Sequence, residues 1–374
     1  MRLTLDDVDD YAMGAALMGT GGGGDPYIGS LLLKQSLQTS GPLDLLQADD
    51  IPDDALLLVS AMIGAPTVMM EKLPSGDEAI ASVRALESYL GKKAHAILAA
   101  EIGGLNALLP LVVGSSIGLP VIDGDGMGRA FPELQMVTYS IEGNPSTPLT
   151  LTDEFGNTVL IEAKDDATAE KFARSTVVAM GASALMACYP MTGAQVKASI
   201  LRGTLSVALG VGRAIRQARQ ANEQPVHRLL DHLAELDFSV SARLLFEGKI
   251  VDLLRETTAG FAVGTIELTG LSNAQDQMQI KFQNENLVAL HNGEVCAIVP
   301  DLICIVDHET AEPITTEGLR YGQRVAVLGI AAPSALRTEK ALRVVGPSKF
   351  GLKYPFVPLE DTVAVEPGTA RRTP

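Results

Sequence analysis

A chain of 374 residues with 47% hydrophobic residues is long enough for two packed cores, since a single core stops growing at about 250–300 residues. Aromatic residues reach only 4% and Trp is absent, so aliphatic side chains and Ala must fill the interior, as is common in α/β sheets covered by helices. The net charge of −16 and the lack of a basic stripe argue against a nucleic-acid partner, because phosphate contacts need clustered Lys and Arg.

The cysteines and the N-terminus indicate the compartment. The chain has an odd number of cysteines, Cys188, Cys296 and Cys304, which lie among apolar residues and lack the spacing of a disulfide framework. We therefore expect free, buried thiols and a reducing compartment. Met1–Asp10 is acidic and lacks an apolar signal core. No stretch reaches the roughly 18 uninterrupted apolar residues of a membrane span. We therefore expect a cytoplasmic protein with no membrane partner.

Helices and strands alternate over the first 122 residues. Such alternation predicts right-handed crossovers and a parallel or mixed sheet with flanking helices. The first predicted helix begins near Asp6 and ends at a glycine run, and the other predicted helices are Pro26 to about Gln38, Asp77–Leu90, and Leu105 to about Ser116. The predicted strands are Ala55–Met62, Ala94–Ala100 and Pro120–Ile122.

The pattern changes after Met136. Period-two alternation over Val137–Glu142, Leu149–Thr152 and Thr158–Ala163 predicts antiparallel strands that extend the sheet or form its edge. Asp165–Gln220 is predicted to be mostly helical, with a break at Pro190–Gly193.

From about Phe261 the chain is rich in short strands separated by Gly, Asn, Asp and Pro turns, which predicts a compact antiparallel sheet or barrel. The predicted domains are therefore 1–164, an α/β domain, and 165–360, a helical segment followed by a β-rich domain. The chain from Pro358 is predicted to be poorly ordered, with 361–374 as a flexible tail. The predicted strands are Phe261–Leu268, Gln277–Gln283, Leu287–Leu290, Cys296–Val299, Leu302–Val306 and Arg324–Ile330.

Four consecutive glycines, Gly21 to Gly24, lie between the first two predicted helices, flanked by Thr20 and Asp25. Their main-chain N–H groups could form an anion nest at the start of the second helix, with the two flanking side chains as further contacts. A dinucleotide fingerprint or a P-loop follows a strand, and this run follows a helix and lacks the Gly-Lys-Ser/Thr ending. The alternative is a tight turn between helices, which needs fewer glycines.

Acidic residues follow two of the predicted strands. Glu101 comes after Ala94–Ala100, and Asp123 and Asp125 come after Pro120–Ile122. If these strands are parallel neighbours, the three carboxylates emerge at the carboxyl edge of one sheet, where open α/β sheets bind ligands. A solvated Asp-Gly turn is the alternative.

Carboxylates that converge must share protons, which raises a pKa for acid–base work, or bind a divalent cation such as Mg²⁺, Mn²⁺ or Zn²⁺. Arg129 is the nearby cation that would neutralise an anionic group. Glu133 is a further acid or a supporting residue. Gly103, Gly104 and Asn106 precede or begin the next helix and are predicted substrate contacts.

These segments in combination resemble one family. The chain resembles the S-methyl-thiohydantoin desulfurase family, long catalogued as a hydantoinase-associated domain of unknown function. The segments that carry the resemblance are Met18–Pro26, Glu101–Asn106 and Asp123–Glu133, with the later Pro190–Gly193 and Pro300–Ile303. The resemblance implies an N-terminal α/β domain, a C-terminal β-containing domain and chemistry, hydrolytic in kind, on five-membered cyclic amides of hydantoin type.

The leading hypothesis is therefore a hydrolase-like enzyme that opens a C–N or C–S bond in a small cyclic amide. Glu101, Asp123 and Asp125 would activate water with or without a divalent metal, and the glycine run would stabilise an oxyanion or a substrate carboxylate. Two alternatives stay open: a non-catalytic metabolite-binding subunit of a hydantoinase-type enzyme, and an ATP- or phosphate-dependent enzyme that uses the glycine run. A homo-oligomer is expected.

Overall fold

The structure is a computed structural model that describes residues 1–64, 75–236, 241–258 and 261–362. The chain divides into two units, Met1–Gly212 and Arg213–Pro374.

The first unit alternates strands and helices. Its helices are α1 (Val8–Met18), α2 (Pro26–Ser40), α3 (Asp77–Leu90), α4 (Gly104–Ile117), α5 (Thr138–Ile141), α6 (Asp166–Ala179), α7 (Gly193–Ser199) and the start of α8 (Thr204–Gln220). Its strands are β1 (Arg2–Leu3), β2 (Leu43–Leu46), β3 (Leu56–Gly64), β4 (Ala96–Ala99), β5 (Val121–Ile122), β6 (Gly124–Asp125), β7 (Leu149–Thr152), β8 (Thr158–Ile161), β9 (Ser183–Thr192) and β10 (Leu201–Arg202).

An eight-stranded mixed sheet organises this unit in the order β1-β2-β5-β4-β3-β9-β7-β8. The four strands β2, β5, β4 and β3 are parallel, and the strands on either side pair antiparallel. The apolar run of β3 is buried at every position but Gly64, as expected for a strand covered on both faces. The predicted α/β fold of the N-terminal part is confirmed.

Two segments differ from the sequence-based assignment. Val137–Glu142 was predicted as a strand, but Thr138–Ile141 is a short helix whose first amide donates to the carbonyl of Gly126. The segment Ser183–Thr192, predicted as part of a helical stretch, is strand β9 between β3 and β7. Because β9 is buried at eight of its ten positions, it carries no alternation to mark it as a strand.

The second unit contains a seven-stranded antiparallel sheet that forms a half-barrel, in agreement with the predicted sheet or barrel. Strand β11, which the sequence assignment missed, is the longest of these strands and pairs with β12 and β17. The elements are α9 (Pro225–Ala234), β11 (Ala242–Thr258), β12 (Phe261–Gly270), β13 (Gln277–Gln283), β14 (Glu285–His291), β15 (Glu294–Ile298), β16 (Leu302–Asp307), β17 (Arg324–Ile330) and α10 (Glu339–Val345).

The half-barrel encloses an apolar core from most of its strands. The side chain of Asn286 on β14 donates to the carbonyl of Ile303 on β16 over 2.8 Å. This hydrogen bond links the next-to-last strand at one end of the sheet to the last strand at the other end. Leu359 is fully buried in this core, so the predicted disorder from Pro358 is wrong for residues 358–362. The rest of the predicted tail lies outside the described residues.

All three cysteines are free and buried, as the sequence indicated. Within the described ranges, no helix has the length and apolar character needed to cross a membrane.

Candidate functional site

The carboxyl ends of β4 and β5 bring the acidic segments together. The two strands are parallel neighbours, paired at Ile97 and Val121. Past their ends, the amide of Gly126 donates to the carbonyl of Ala100 over 3.0 Å. Glu101 and Asp125 therefore leave the sheet side by side, close enough for each charge to act on the other.

Glu101 is 5% exposed and is held by two neutral donors. Its Oε1 accepts from the Asn106 side chain over 2.6 Å, and its Oε2 accepts from the Phe131 amide over 3.3 Å. Burial raises the pKa of Glu101 to about 8; the two donors and Arg129 oppose the rise, and Asp125 adds to it. Glu101 is therefore mostly protonated at neutral pH.

Asp125 has no exposed surface. Its Oδ2 accepts from the amides of Met127 and Gly128 over 3.0 and 2.8 Å. Burial raises its pKa to about 7, and these amides, with Thr204 and the Ile102 amide near by, limit the rise. Asp125 Oδ1 makes no well-formed hydrogen bond among the described residues, although the Thr204 hydroxyl and the Ile102 amide lie near enough to lower the pKa of the carboxyl. Burial thus raises the pKa of both carboxyls of the pair toward neutrality.

Asp123 is bound by groups outside this pair. Its Oδ1 accepts from the amide of Ser206 over 3.0 Å, and its Oδ2 accepts from the Ser206 hydroxyl and from Gln47 over 3.2 Å. Ser206 lies in the first turn of α8, where main-chain N–H groups have no helical partner. Asp123 therefore caps this helix from a distant part of the chain.

Three residues near the pair were not predicted from the sequence. Tyr11 and Tyr139 are fully buried, and their hydroxyls donate to the carbonyls of Ala107 and Ala99, each over 3.0 Å. Burial raises the pKa of both phenols, and the negative charge of Asp125 raises it further. Thr204, at the start of α8, is also fully buried. The two tyrosines therefore stay neutral beside Asp125.

Arg129 is the largest fully buried side chain of the described residues. Its Nε donates to the carbonyl of Ala130 over 3.0 Å, and its guanidinium lies 4.8 Å from the centre of the Phe131 ring. Its charge lowers the pKa of Glu101. Glu133, by contrast, accepts from Gln135 within its own turn.

Asn106 was predicted to contact substrate, and its side chain is instead occupied by protein groups. Its Oδ1 accepts from the amide of Met62 over 2.7 Å, while its Nδ2 donates to the Met62 carbonyl and to Glu101. Met62 lies on β3 beyond the residues that pair with β4. The Asn106 side chain therefore makes the hydrogen bonds to Met62 that a neighbouring strand would otherwise make.

The glycine run packs on the segment that carries Glu101. A Cβ on Gly23 would lie 2.4 Å from the carbonyl oxygen of Gly103, and one on Gly104 would lie 2.1 Å from that of Gly24. The amide of Leu105 donates to the carbonyl of Gly23 over 2.9 Å. The run and the Gly103-Gly104 turn therefore meet backbone to backbone, which accounts for several of the glycines.

The flanking residues of the run have different roles. Asp25 is exposed and caps α2 by accepting from the amide of Tyr27 over 2.8 Å. Thr20 is fully buried at a φ of 48°, a backbone conformation that is rare for a β-branched residue. Gly21 and Gly22 are buried beside it, in the turn after α1.

The predicted metal ligands do not form a set of three. Within the described part of the chain, no group of three or more His, Cys, Asp or Glu is arranged to hold a metal ion. Asp123 is engaged by Ser206 and Gln47, which leaves Glu101 and Asp125 as a pair of acids.

Comparisons with known proteins cover nearly the whole chain. Residues 6–163 match the family model described as S-Me-THD-like, N-terminal domain, and residues 164–359 match S-Me-THD-like, C-terminal domain. A crystal structure of a protein from Chromobacterium violaceum is similar, with a TM-score of 0.80 and 25% identity over 96% of this chain and 100% of that one. No curated protein matches the chain.

Proposed function

Because the chain belongs to the S-Me-THD-like family, which suggests a thiohydantoin-related role, we propose that it is a hydrolase acting on a small cyclic amide of hydantoin or thiohydantoin type. The observation that carries this proposal is the buried pair Glu101 and Asp125, whose pKa values are raised to about 8 and about 7. Acids and bases in enzymes are commonly tuned toward the working pH in this way.

The two carboxyls have different roles in the proposed reaction. In this proposal Asp125 is the base that takes a proton from water, because its Oδ1 makes no well-formed hydrogen bond among the described residues. Glu101 keeps its proton at neutral pH and is the acid. A pair of acids whose surroundings separate their pKa values is the usual basis for such a division of roles.

The atoms balance in a single hydrolytic step. The water oxygen bonds to a ring carbon, and its proton goes to Asp125. The C–N or C–S bond at that carbon breaks, and the leaving nitrogen or sulfur takes the proton of Glu101. Proton exchange with solvent then restores the starting forms. No part of this step is assigned to a metal, because the residues present do not form a three-ligand site.

The glycine run supports the site in this proposal by fixing the segment that carries Glu101. Its contacts with Gly103 and Gly104 account for the glycines without a phosphate, so the phosphate-dependent alternative has no observation in its favour.

The test is a panel of hydantoins and thiohydantoins, assayed with and without Mg²⁺, Mn²⁺ and Zn²⁺. We expect turnover by the isolated chain, and a loss of about 10²–10⁴-fold in kcat for Asp125→Asn and for Glu101→Gln. Glu162→Gln is the control, because Glu162 is an exposed carboxylate outside these segments and accepts from the Tyr89 hydroxyl. Binding without turnover would favour the metabolite-binding subunit, and neither binding nor turnover would count against the proposed substrates.

A further inference from the structure

The strand that carries Asp125 is paired with a distant part of the chain. Strands β6 and β10 form a two-stranded antiparallel sheet in which Leu201 lies opposite Asp125. Gly124 allows this close approach, because a Cβ there would lie 2.5 Å from the carbonyl oxygen of Leu201. The residues that follow β10 are therefore held beside Asp125.

Asp123 holds the same segment a few residues further on. The amide of Gly203 donates to the Asp123 carbonyl over 2.9 Å, and the amide of Ser206 donates to the Asp123 carboxylate over 3.0 Å. Thr204 lies between these two hydrogen bonds, at the start of α8, and its side chain is fully buried. The strand pair and the two hydrogen bonds together fix Thr204 against residues 123–125.

Two buried oxygen atoms meet in this region. Neither Oγ1 of Thr204 nor Oδ1 of Asp125 makes a well-formed hydrogen bond among the described residues, and both side chains have no exposed surface. The hydroxyl lies near enough to lower the pKa of the Asp125 carboxyl. A buried hydroxyl without a partner is costly, and its hydrogen can rotate toward an acceptor. Asp125 becomes the stronger acceptor when it is ionised.

We propose that Thr204 is a positioning residue of this site, whose hydroxyl donates to Oδ1 of Asp125 when the carboxyl is ionised. The amides of Met127 and Gly128 already hold Oδ2, so the three donors fix both oxygens of the carboxylate. Each carboxylate oxygen can accept a second hydrogen bond, so Oδ1 still has a lone pair for the attacking water. The catalytic part of this inference rests on the proposed function.

Other titratable and charged groups face Asp125 or its immediate neighbours. The charge of Asp125 raises the pKa of Glu101 and of the two buried phenols. The groups are Glu101 past β4, Tyr11 on α1, Tyr139 on α5, Asp123 past β5, and Arg129. All of them remain when only the Thr204 hydroxyl is removed, so a substitution at this residue isolates its hydrogen bond.

The pKa of Asp125 tests the proposal, measured by ¹³C NMR titration of its labelled carboxyl and assigned with Asp125→Asn. Thr204→Val keeps the shape of the side chain without the hydroxyl and should raise this pKa by about one pH unit, because the ionised form loses a donor. Thr204→Ser keeps the hydroxyl and should keep the wild-type value. Thr150→Val is the matched control, since Thr150 is also fully buried but donates to the carbonyl of Ser82 on α3 over 2.8 Å.

The pH profile of kcat/KM adds a second reading for any hydantoin or thiohydantoin that the chain hydrolyses. In Thr204→Val the acidic limb should move to higher pH with the pKa of Asp125, which lowers kcat/KM about ten-fold below that limb. Thr204→Ser should keep the wild-type profile. A residue with a merely structural role would instead lower kcat/KM by the same factor at every pH.

The outcomes separate this inference from the proposed function. An Asp125 pKa that Thr204→Val leaves unchanged, or that Thr204→Ser raises as far as Thr204→Val does, would overturn the role of Thr204 whatever the chain hydrolyses. The expected pKa changes in a chain that hydrolyses nothing would support the hydrogen bond and count against the proposed function alone. If Thr204→Val fails to fold, the wild type decides: the ¹³C signal of the Thr204 methyl should titrate with the Asp125 midpoint, and a flat signal would overturn the proposal.

Discussion

Burial determines the protonation of Glu101 and Asp125. Among the described residues neither carboxyl has a salt bridge, and each accepts hydrogen bonds from neutral groups, which offset part of the cost of removing a charge from water. The neutral form is therefore favoured in the folded chain up to about pH 7 for Asp125 and about pH 8 for Glu101.

This shift makes stability depend on pH in a definite direction. Above about pH 4.5 the unfolded chain ionises at Glu101 while the folded chain keeps the proton, so the free energy of unfolding falls as the pH rises, until the folded group ionises near pH 8. Glu101 contributes up to about 1.4 kcal/mol per pH unit to the slope of the unfolding free energy against pH.

We therefore expect Glu101→Gln to reduce the fall in unfolding free energy between pH 5 and pH 8, as measured by denaturant titration at several pH values. An unchanged slope for Glu101→Gln would mean that the carboxylate is already ionised in the folded chain at these pH values.

Asn106 offers a second test at the scale of one residue. Its side chain satisfies both main-chain groups of Met62 and donates to Glu101. Asn106→Leu should lower the unfolding free energy by about 1–3 kcal/mol, because buried polar groups lose their partners. It should also raise the pKa of Glu101, since a donor to the carboxylate is lost; ¹³C NMR titration of the labelled Glu101 carboxyl reports this shift. An unchanged pKa would contradict the role assigned to Asn106.

At the scale of elements, the glycine run acts by close approach. The turn between α1 and α2 lies on the first turn of α4, and a side chain at Gly23 or Gly104 would overlap main-chain atoms of the other segment. Gly23 also has a φ of 77°, in the region that favours glycine.

Gly41 provides a control for this contact. It has a φ of 81°, similar to that of Gly23, but a Cβ there would meet nothing within 4 Å. Gly41 has a ψ of −171°, in a region that essentially only glycine adopts, so Gly41→Ala should cost about 1–3 kcal/mol from backbone strain alone. Gly23→Ala should cost more than Gly41→Ala in thermal or denaturant unfolding, because the main chain at Gly103 must also move. Equal losses would mean that the two segments separate easily.

Local patterns predicted most elements of this fold. The helix Asp77–Leu90 and the strands Gln277–Gln283 and Arg324–Ile330 were predicted with their observed bounds, since helical periodicity or alternation is strong there and Gly, Asn or Asp turns flank them. The missed strand β9 is rich in Ala, Met and Leu, which favour helices; its pairing with β3 and β7 overrides that preference.

At the scale of the whole chain, the site is assembled from segments that local patterns cannot relate. The carboxyl edge of β4 and β5 was accessible to prediction, because parallel neighbours end at the same edge. Tyr11 and Thr204 are distant in sequence from Asp125 and belong to common residue types, so nothing in the sequence linked them to it. The bonds from Asp123 to Ser206 likewise separate it from the other acids, and only tertiary structure shows this.

The last described segment, residues 358–362, packs on the core of the second unit through Leu359. Asp301 has no exposed surface, and its Oδ2 accepts from the amide of Leu359 over 2.8 Å while its Oδ1 accepts from the Arg337 guanidinium. Burial raises the pKa of Asp301 despite these donors. Arg337 also pairs with Glu360 over 2.8 Å, so one arginine joins Asp301, the residue before β16, to the last described segment.

Leu359→Ala tests whether this segment is part of the half-barrel core or an appendage to it. The side chain is fully buried, so its truncation should leave a cavity and lower the unfolding free energy by about 2–5 kcal/mol. Leu254→Ala, at a leucine that is 57% exposed on β11, should cost far less. Hydrogen exchange should show faster opening of β16 and β17 in Leu359→Ala, because Leu359 packs in the core that these strands share. If the two variants lose the same stability and those strands keep their protection, residues 358–362 contribute little to holding the half-barrel together.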